Sequence, residues 1–306
     1  MTLARNLAQW RKLGLAELMG LALAQKLASR GTQVSLCSII NAKSGKCSED
    51  CRFCVQSSHY QTGAPIYPLK GVREVVAAAR AAELAGAARF SLVTSGRGPS
   101  PKELAGIVEL VKAIRAEVPI KVCVSLGILD RGGMQALKEA GVSRYHHNLE
   151  TSREYFSQVA TTHTFAERVA TIRAAQAAGL EVCAGGIFGL GESEEDRISL
   201  ALTLKELGVD SVPINVLLPL PGTPMVGMAP LGVSEILRSL ALFRLILPEM
   251  PIRLAAGRES VLTDFLGMAF MAGADGMMVG GYLTQRGRPP QEDQRFVAEI
   301  LRIWTS

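Results

Sequence analysis

The 306-residue chain has no apolar run long enough to cross a bilayer, no tract of Lys or Arg, no low-complexity linker and no internal repeat. Each absence excludes something. A membrane-spanning helix needs about 20 consecutive apolar residues, so no membrane contact is expected. Basic and acidic residues number 33 and 28, and the resulting net charge of +5 is scattered rather than gathered with aromatics. No nucleic-acid partner is therefore expected. The stretch from Leu3 to Gly31 breaks its apolar residues with Arg5, Arg11, Lys12, Glu17 and Lys26. It reads as one amphipathic helix rather than a targeting or membrane segment, and the expected location is the cytoplasm. Without a linker, one domain is the default: a helical extension over 1–32 followed by a single unit over 33–306.

What the chain does have is cysteine in a telling place. Of six cysteines, Cys47, Cys51 and Cys54 fall in the run CSEDCRFC, with three and then two residues between them. Three thiolates on one short loop hold three irons of a cubane and leave the fourth open. The competing reading is a structural zinc knuckle with His59 as fourth ligand. Structural zinc usually joins two well-separated halves, and this run has no second half.

Short β-rich runs alternate with Ala- and Leu-rich helical segments. The runs cover 33–40, 89–95, 120–126, 144–149, 181–187, 211–217, 251–256 and 276–281. Eight strands with intervening helices predict an α/β fold, a (βα)8 TIM-type barrel with the N-terminal helical extension outside it. Cys37, Cys123 and Cys183 then fall in the first, third and fifth strands, and Arg253 in the seventh. A barrel interior is filled in layers taken from alternate strands, so these four would face one another. Any one cysteine alone reads equally well as a small buried hydrophobe. Arg253 is harder to place in an interior without an anionic partner, and a thiolate-bound cluster supplies one.

The CSEDCRFC loop resembles the cluster loop of radical S-adenosylmethionine (SAM) enzymes. Together with YHHNLETS at 145–152, VCAGGIFGLGE at 182–192, SVPINVL at 211–217, RLAAGRE at 253–259 and FMAGA at 270–274, it resembles the biotin synthase family from about Val34 to about Tyr282. The resemblance implies a sulfur-insertion enzyme that converts dethiobiotin to biotin through a 5'-deoxyadenosyl radical. Cys47, Cys51 and Cys54 would bind the SAM-binding 4Fe-4S cluster, and Tyr60 would lie beside the adenine. Arg168 would meet the SAM carboxylate, and Asn148 and Glu150 its ribose or methionine end. Asn215 would hydrogen-bond the ureido ring of dethiobiotin. For Asn148, Glu150 and Asn215 the residues alone read as strand-end polar groups satisfying nearby backbone. A reduced flavodoxin or ferredoxin would supply electrons, and the assembly would be a homodimer.

Two departures from the family pattern stand out. Its auxiliary 2Fe-2S cluster is held by three cysteines and an arginine; Cys123, Cys183 and Arg253 match three of these, but the second-strand position is Ser91. Cys37 instead brings a thiol to the first strand, and the resulting set suits either a two-iron or a four-iron auxiliary iron-sulfur cluster. At His146, beside the substrate, the family commonly has asparagine. A hydrogenase maturase or a methylornithine-forming mutase would share the barrel and the first cluster. AGADGMMVGG at 272–281 also resembles a TIM-barrel phosphate cradle, a reading that leaves all six cysteines unexplained. An iron-sulfur carrier would not require the constellation of Arg168 and Asn148.

Overall fold

The computed structural model describes residues 3–284 and 287–306. The first two residues of the expected extension lie outside it. Nine strands are found among the described residues: β1 (Ser35–Lys43), β2 (Arg89–Thr94), β3 (Lys121–Ser125), β4 (Arg144–His146), β5 (Glu181–Cys183), β6 (Gly186–Phe188), β7 (Val212–Val216), β8 (Ile252–Leu254) and β9 (Gly276–Met278). Every ladder is parallel, in the order β5-β4-β3-β2-β1-β9-β8-β7-β6. The two ends of that order are halves of the one expected strand over 181–187, and they close the ring. Cys183 bridges to Ser211 at the foot of β7, while Gly186 bridges back to Glu150 beyond β4. The chain is thus an eight-position barrel, as the alternation of apolar runs predicts.

The break between β5 and β6 has a steric cause. Backbones approach so closely here that a Cβ on Gly185 would lie 1.9 Å from the Pro213 carbonyl oxygen, and one on Gly186 would lie 2.4 Å from that of Glu150. Only glycine allows the strand to be shared between its two neighbours in this way.

Helices cover the outside, and their ends follow local sequence. Ser100, Thr164 and Ser193 each cap a helix and accept from the backbone N–H three residues on, where Glu103, Glu167 and Asp196 reach back to complete capping boxes. The N-terminal stretch departs from its reading as one helix: it forms Leu3–Trp10 and Leu15–Arg30, with Gly14 extended (φ −62°, ψ 153°) at the start of the second. Glycine's poor helix propensity favours the break there. The second of these helices packs on Val233–Ile246, outside the barrel, and Arg238 fastens the linking turn by donating to the carbonyl of Leu13 at 3.1 Å. No described helix is long and apolar enough to cross a membrane.

Candidate active site

Strand register places the inward-facing residues in layers. Cys37 lies opposite Arg89, and Arg89 opposite Lys121, so Cys123 stands two residues beyond the register partner of Cys37. An identical step leads from Cys123 through Arg144 and Glu181 to Cys183. It leads on through Ser211, whose neighbour Val212 faces Ile252, to Arg253, and from there through Gly276 and Ser35 back to Cys37. Such a regular stagger is the shear of a (βα)8 barrel, and residues related by it share one height. Cys37, Cys123, Cys183 and Arg253 therefore form one complete layer.

Ser91 does not belong to it. Its register partners are Ile39 and Cys123, so it stands half a layer nearer the C-terminal end of the barrel, and the same step of register relates it to His146, Pro213 and Met278. The layer on the other side of the cysteines is Arg89, Arg144, Ser211 and Gly276. A Cβ on Gly276 would meet Ser35 O at 2.7 Å and Cγ of Arg253 at 3.1 Å, so glycine here makes room for the arginine stem.

Above these layers, the segment after β1 carries the other three thiols. It turns sharply at Gly45 and Lys46, both with positive φ (77° and 51°). Cys47 N donates to Gln56 O at 3.0 Å and Ser58 N to Cys47 O at 2.8 Å, closing the loop on itself. Asp50 clamps it to the barrel by accepting from the backbone N–H groups of Thr161 (2.9 Å) and Thr162 (3.1 Å). Burial works against the Asp50 charge, but these donors outweigh it and hold the carboxyl well below its usual range. Burial also pushes the Cys51 thiol up to about 12 and that of Cys54 up to about 11, so both are protonated near neutral pH.

All six cysteines line one cavity of about 270 Å³. Arg253 is 7% exposed, and its Nε has no hydrogen-bond partner. Burial alone would lower its pKa, yet the sulfurs of Cys37 and Cys183 outweigh that and raise it. An unpaired, buried guanidinium N–H beside the thiols of Cys37 and Cys183 is the environment in which an anionic sulfur cluster fits. The zinc reading fares less well. His59 is turned to the carbonyl of Ser48, 2.9 Å away, and among the described residues no three His, Cys, Asp or Glu side chains are set to hold a single ion.

Of the remaining expected residues, Asn148, Glu150, Arg168, His146 and Asn215 line the same cavity. Tyr60 does not; its hydroxyl donates to the Asp50 carbonyl within the cluster loop. Asn148 accepts from Gly185 N at 3.1 Å and donates to Glu150 at 3.2 Å. Asn215 donates to Gly186 O at 3.2 Å and accepts from Ala256 N at 3.0 Å. Each amide is thus steadied by backbone and keeps one proton and one lone pair for a ligand. Glu150 is buried at a left-handed φ of 68°, a strained conformation of the kind that collects at functional sites. Burial raises its pKa, and Arg168, 3.6 Å away, opposes the rise. Burial takes the imidazole of His146 down to about 4, so it is neutral near pH 7.

Sequence reasoning missed Glu49 and His163. Nδ1 of His163 lies 2.6 Å from Oε2 of Glu49, and Arg168 donates through Nε to its Nε2 at 3.1 Å and through Nη1 to Asn148 O at 2.8 Å. Glu49 lies inside CSEDC, so the cluster loop and Arg168 are joined through one imidazole. It also missed Arg89 and Arg144, although both lie in expected strands two residues from inward-facing positions.

Residues 42–204 match the Radical SAM superfamily model, and residues 213–300 match the Biotin and Thiamin Synthesis associated domain. A biotin synthase of Pelotomaculum thermopropionicum is 52% identical over 88% of this chain and 84% of its own length. The chain belongs to the biotin synthase family. A second such relative, from Heliobacterium modesticaldum, is 53% identical over 88% of this chain and 82% of its own. Membership in the biotin synthase family carries SAM and iron-sulfur clusters with it. Among solved structures, methylornithine synthase superposes with a TM-score of 0.82 over 97% of this chain and 92% of its own. At 21% identity that likeness shows the barrel fold and nothing of the substrate.

Proposed function

We propose that this chain converts dethiobiotin to biotin by radical sulfur insertion, with the loop thiols and the barrel layer as two separate cluster sites facing one cavity. The observation that carries the reading is that shared cavity: Cys47, Cys51 and Cys54 enter from the loop above, Cys37, Cys123 and Cys183 from the wall below. When bound, the clusters supply the electron that splits SAM to a 5'-deoxyadenosyl radical and the sulfur that enters the substrate. Dethiobiotin reacts at a methyl and a methylene carbon, neither acidic, so the protein's own work is placement rather than proton transfer.

Cys47, Cys51 and Cys54 hold the 4Fe-4S cluster, and Arg168 binds the SAM carboxylate. With Nε given to His163 and one Nη1 proton to Asn148 O, its other N–H donors remain for the carboxylate. Asn148 and Glu150 would take the polar end of SAM, and Tyr60 stiffens the loop of the three thiols through its bond to the Asp50 carbonyl. Asn215 presents its free amide proton and lone pair to the ureido ring, with neutral His146 facing the substrate from the layer it shares with Ser91. Cys37, Cys123, Cys183 and Arg253 hold the auxiliary cluster. A reduced flavodoxin or ferredoxin serves as reductant. Anaerobic turnover of dethiobiotin with SAM and reduced flavodoxin tests the proposal. Biotin should form together with 5'-deoxyadenosine; SAM cleavage without any biotin would contradict it. Iron and sulfide content of the same protein distinguishes a two-iron from a four-iron auxiliary cluster.

A further inference from the structure

Directly beneath the cysteine layer, toward the N-terminal end of the barrel, lie two guanidiniums that the proposed reaction does not use. Arg89 extends Nη1 to within 3.9 Å of Cys123 Sγ, and the same nitrogen donates to Ser143 Oγ at 3.1 Å. Its Nη2 is 2.8 Å from Oε2 of Glu181. Arg144 reaches the same carboxylate oxygen through Nη2 at 2.6 Å and through Nε at 2.9 Å. One carboxylate therefore holds two guanidiniums, and the floor keeps a net positive charge against the thiols. Glu181 is the more solvated partner, its side chain 38% exposed, while those of Arg89 and Arg144 are 12% and 8% exposed. The charges nearest the sulfur are thus the least screened ones. Ser211, in the same layer, has a fully buried hydroxyl without a partner, a further polar group at this level of the barrel.

We infer that Arg89 and Arg144, bridged by Glu181, form a positive floor that sets the reduction potential of the auxiliary cluster held by the layer above. The inference rests on the proposed auxiliary site. Its physical basis is that a hydrogen bond to a ligating sulfur, and positive charge beside it, stabilise the reduced and more negative state of an iron-sulfur cluster. Arg89 supplies both effects at Cys123, whereas Arg144 supplies charge. These are positioning residues: their side-chain contacts are Cys123, Ser143 and Glu181.

The test is the midpoint potential of each cluster, read by optical and paramagnetic-resonance titration of anaerobically reconstituted protein. Arg89→Met and Arg144→Met should shift the auxiliary potential negative, and Glu181→Gln should shift it positive by a smaller amount. Arg89→Lys should recover part of the Arg89→Met shift, because it restores charge without the planar fork. The loop cluster should keep its potential in all four. If Arg89→Met loses the auxiliary cluster altogether, Glu181→Gln decides alone, and a negative or absent shift in it overturns the inference. An auxiliary cluster with unchanged potential in both arginine variants overturns it as well. Wild-type protein that binds no second cluster would instead refute the auxiliary site on which the inference stands.

Discussion

Nε of Arg168 sits 3.1 Å from Nε2 of His163. A guanidinium has no acceptor, so this ring nitrogen must be the one without a proton, and the proton resides on Nδ1, facing Glu49. Burial, with the Arg168 charge second, keeps the His163 pKa below its usual value and the ring neutral. The cluster loop thereby fixes the tautomer that aims the arginine. Arg168→Met keeps much of the stem's packing but removes a charge-assisted contact worth about 1.5 to 3 kcal/mol, so SAM binding should weaken at least about tenfold. His163→Met should weaken it less, and His163→Gln, whose amide oxygen still accepts from Nε, should recover most of the loss. Equilibrium binding of SAM at matched iron content checks all three.

Removal of one loop ligand should abolish radical generation alone. Cys51→Ala leaves two thiols for the upper cluster, so 5'-deoxyadenosine formation under dithionite should fall to background. The auxiliary absorbance should remain. Cleavage at the wild-type rate would show that the loop is not the SAM-binding site.

The split fifth strand should be sensitive to a single methyl group. Gly185→Ala places a Cβ 1.9 Å from the Pro213 carbonyl oxygen, a clash with backbone rather than with a flexible side chain. Overpacking of this kind costs about 1 to 3 kcal/mol or more. Thermal unfolding followed by circular dichroism should show a clearly lower midpoint than wild type.

Much of this architecture was legible in the order of residue types. Cysteine spacing marked the upper site, and the alternation of β-rich runs with helical ones marked the barrel. Placing Cys37, Cys123, Cys183 and Arg253 on odd-numbered strands anticipated the layer that register now defines. Applying the period of two to the even strands would also have turned Arg89 and Arg144 inward, since each lies two residues before Ser91 or His146. The joining of Glu49 to His163 was not legible, because a loop residue and a cap-adjacent residue 114 positions apart meet only through tertiary folding. The break at Gly185 was equally hidden: two adjacent glycines within an apolar run read as one strand until the neighbouring backbones are seen to crowd them.

The expected relocation of a thiol from the position of Ser91 to Cys37 tests the account most directly. Cys37 completes a layer with Cys123, Cys183 and Arg253, while Ser91 stands half a layer above, its hydroxyl buried and unpaired. A hydroxyl is hardly ionised at neutral pH and is a poor iron ligand, whereas a thiol loses its proton readily to a metal. The decisive measurement is iron and sulfide content of anaerobically reconstituted Cys37→Ala and Ser91→Ala, with 5'-deoxyadenosine and biotin assayed on the same samples. Cys37→Ala should lose the auxiliary cluster and biotin formation while still cleaving SAM, and Ser91→Ala should retain both clusters and most of the biotin. An auxiliary cluster that survives Cys37→Ala and disappears in Ser91→Ala would contradict the layer assignment and return Cys37 to the core.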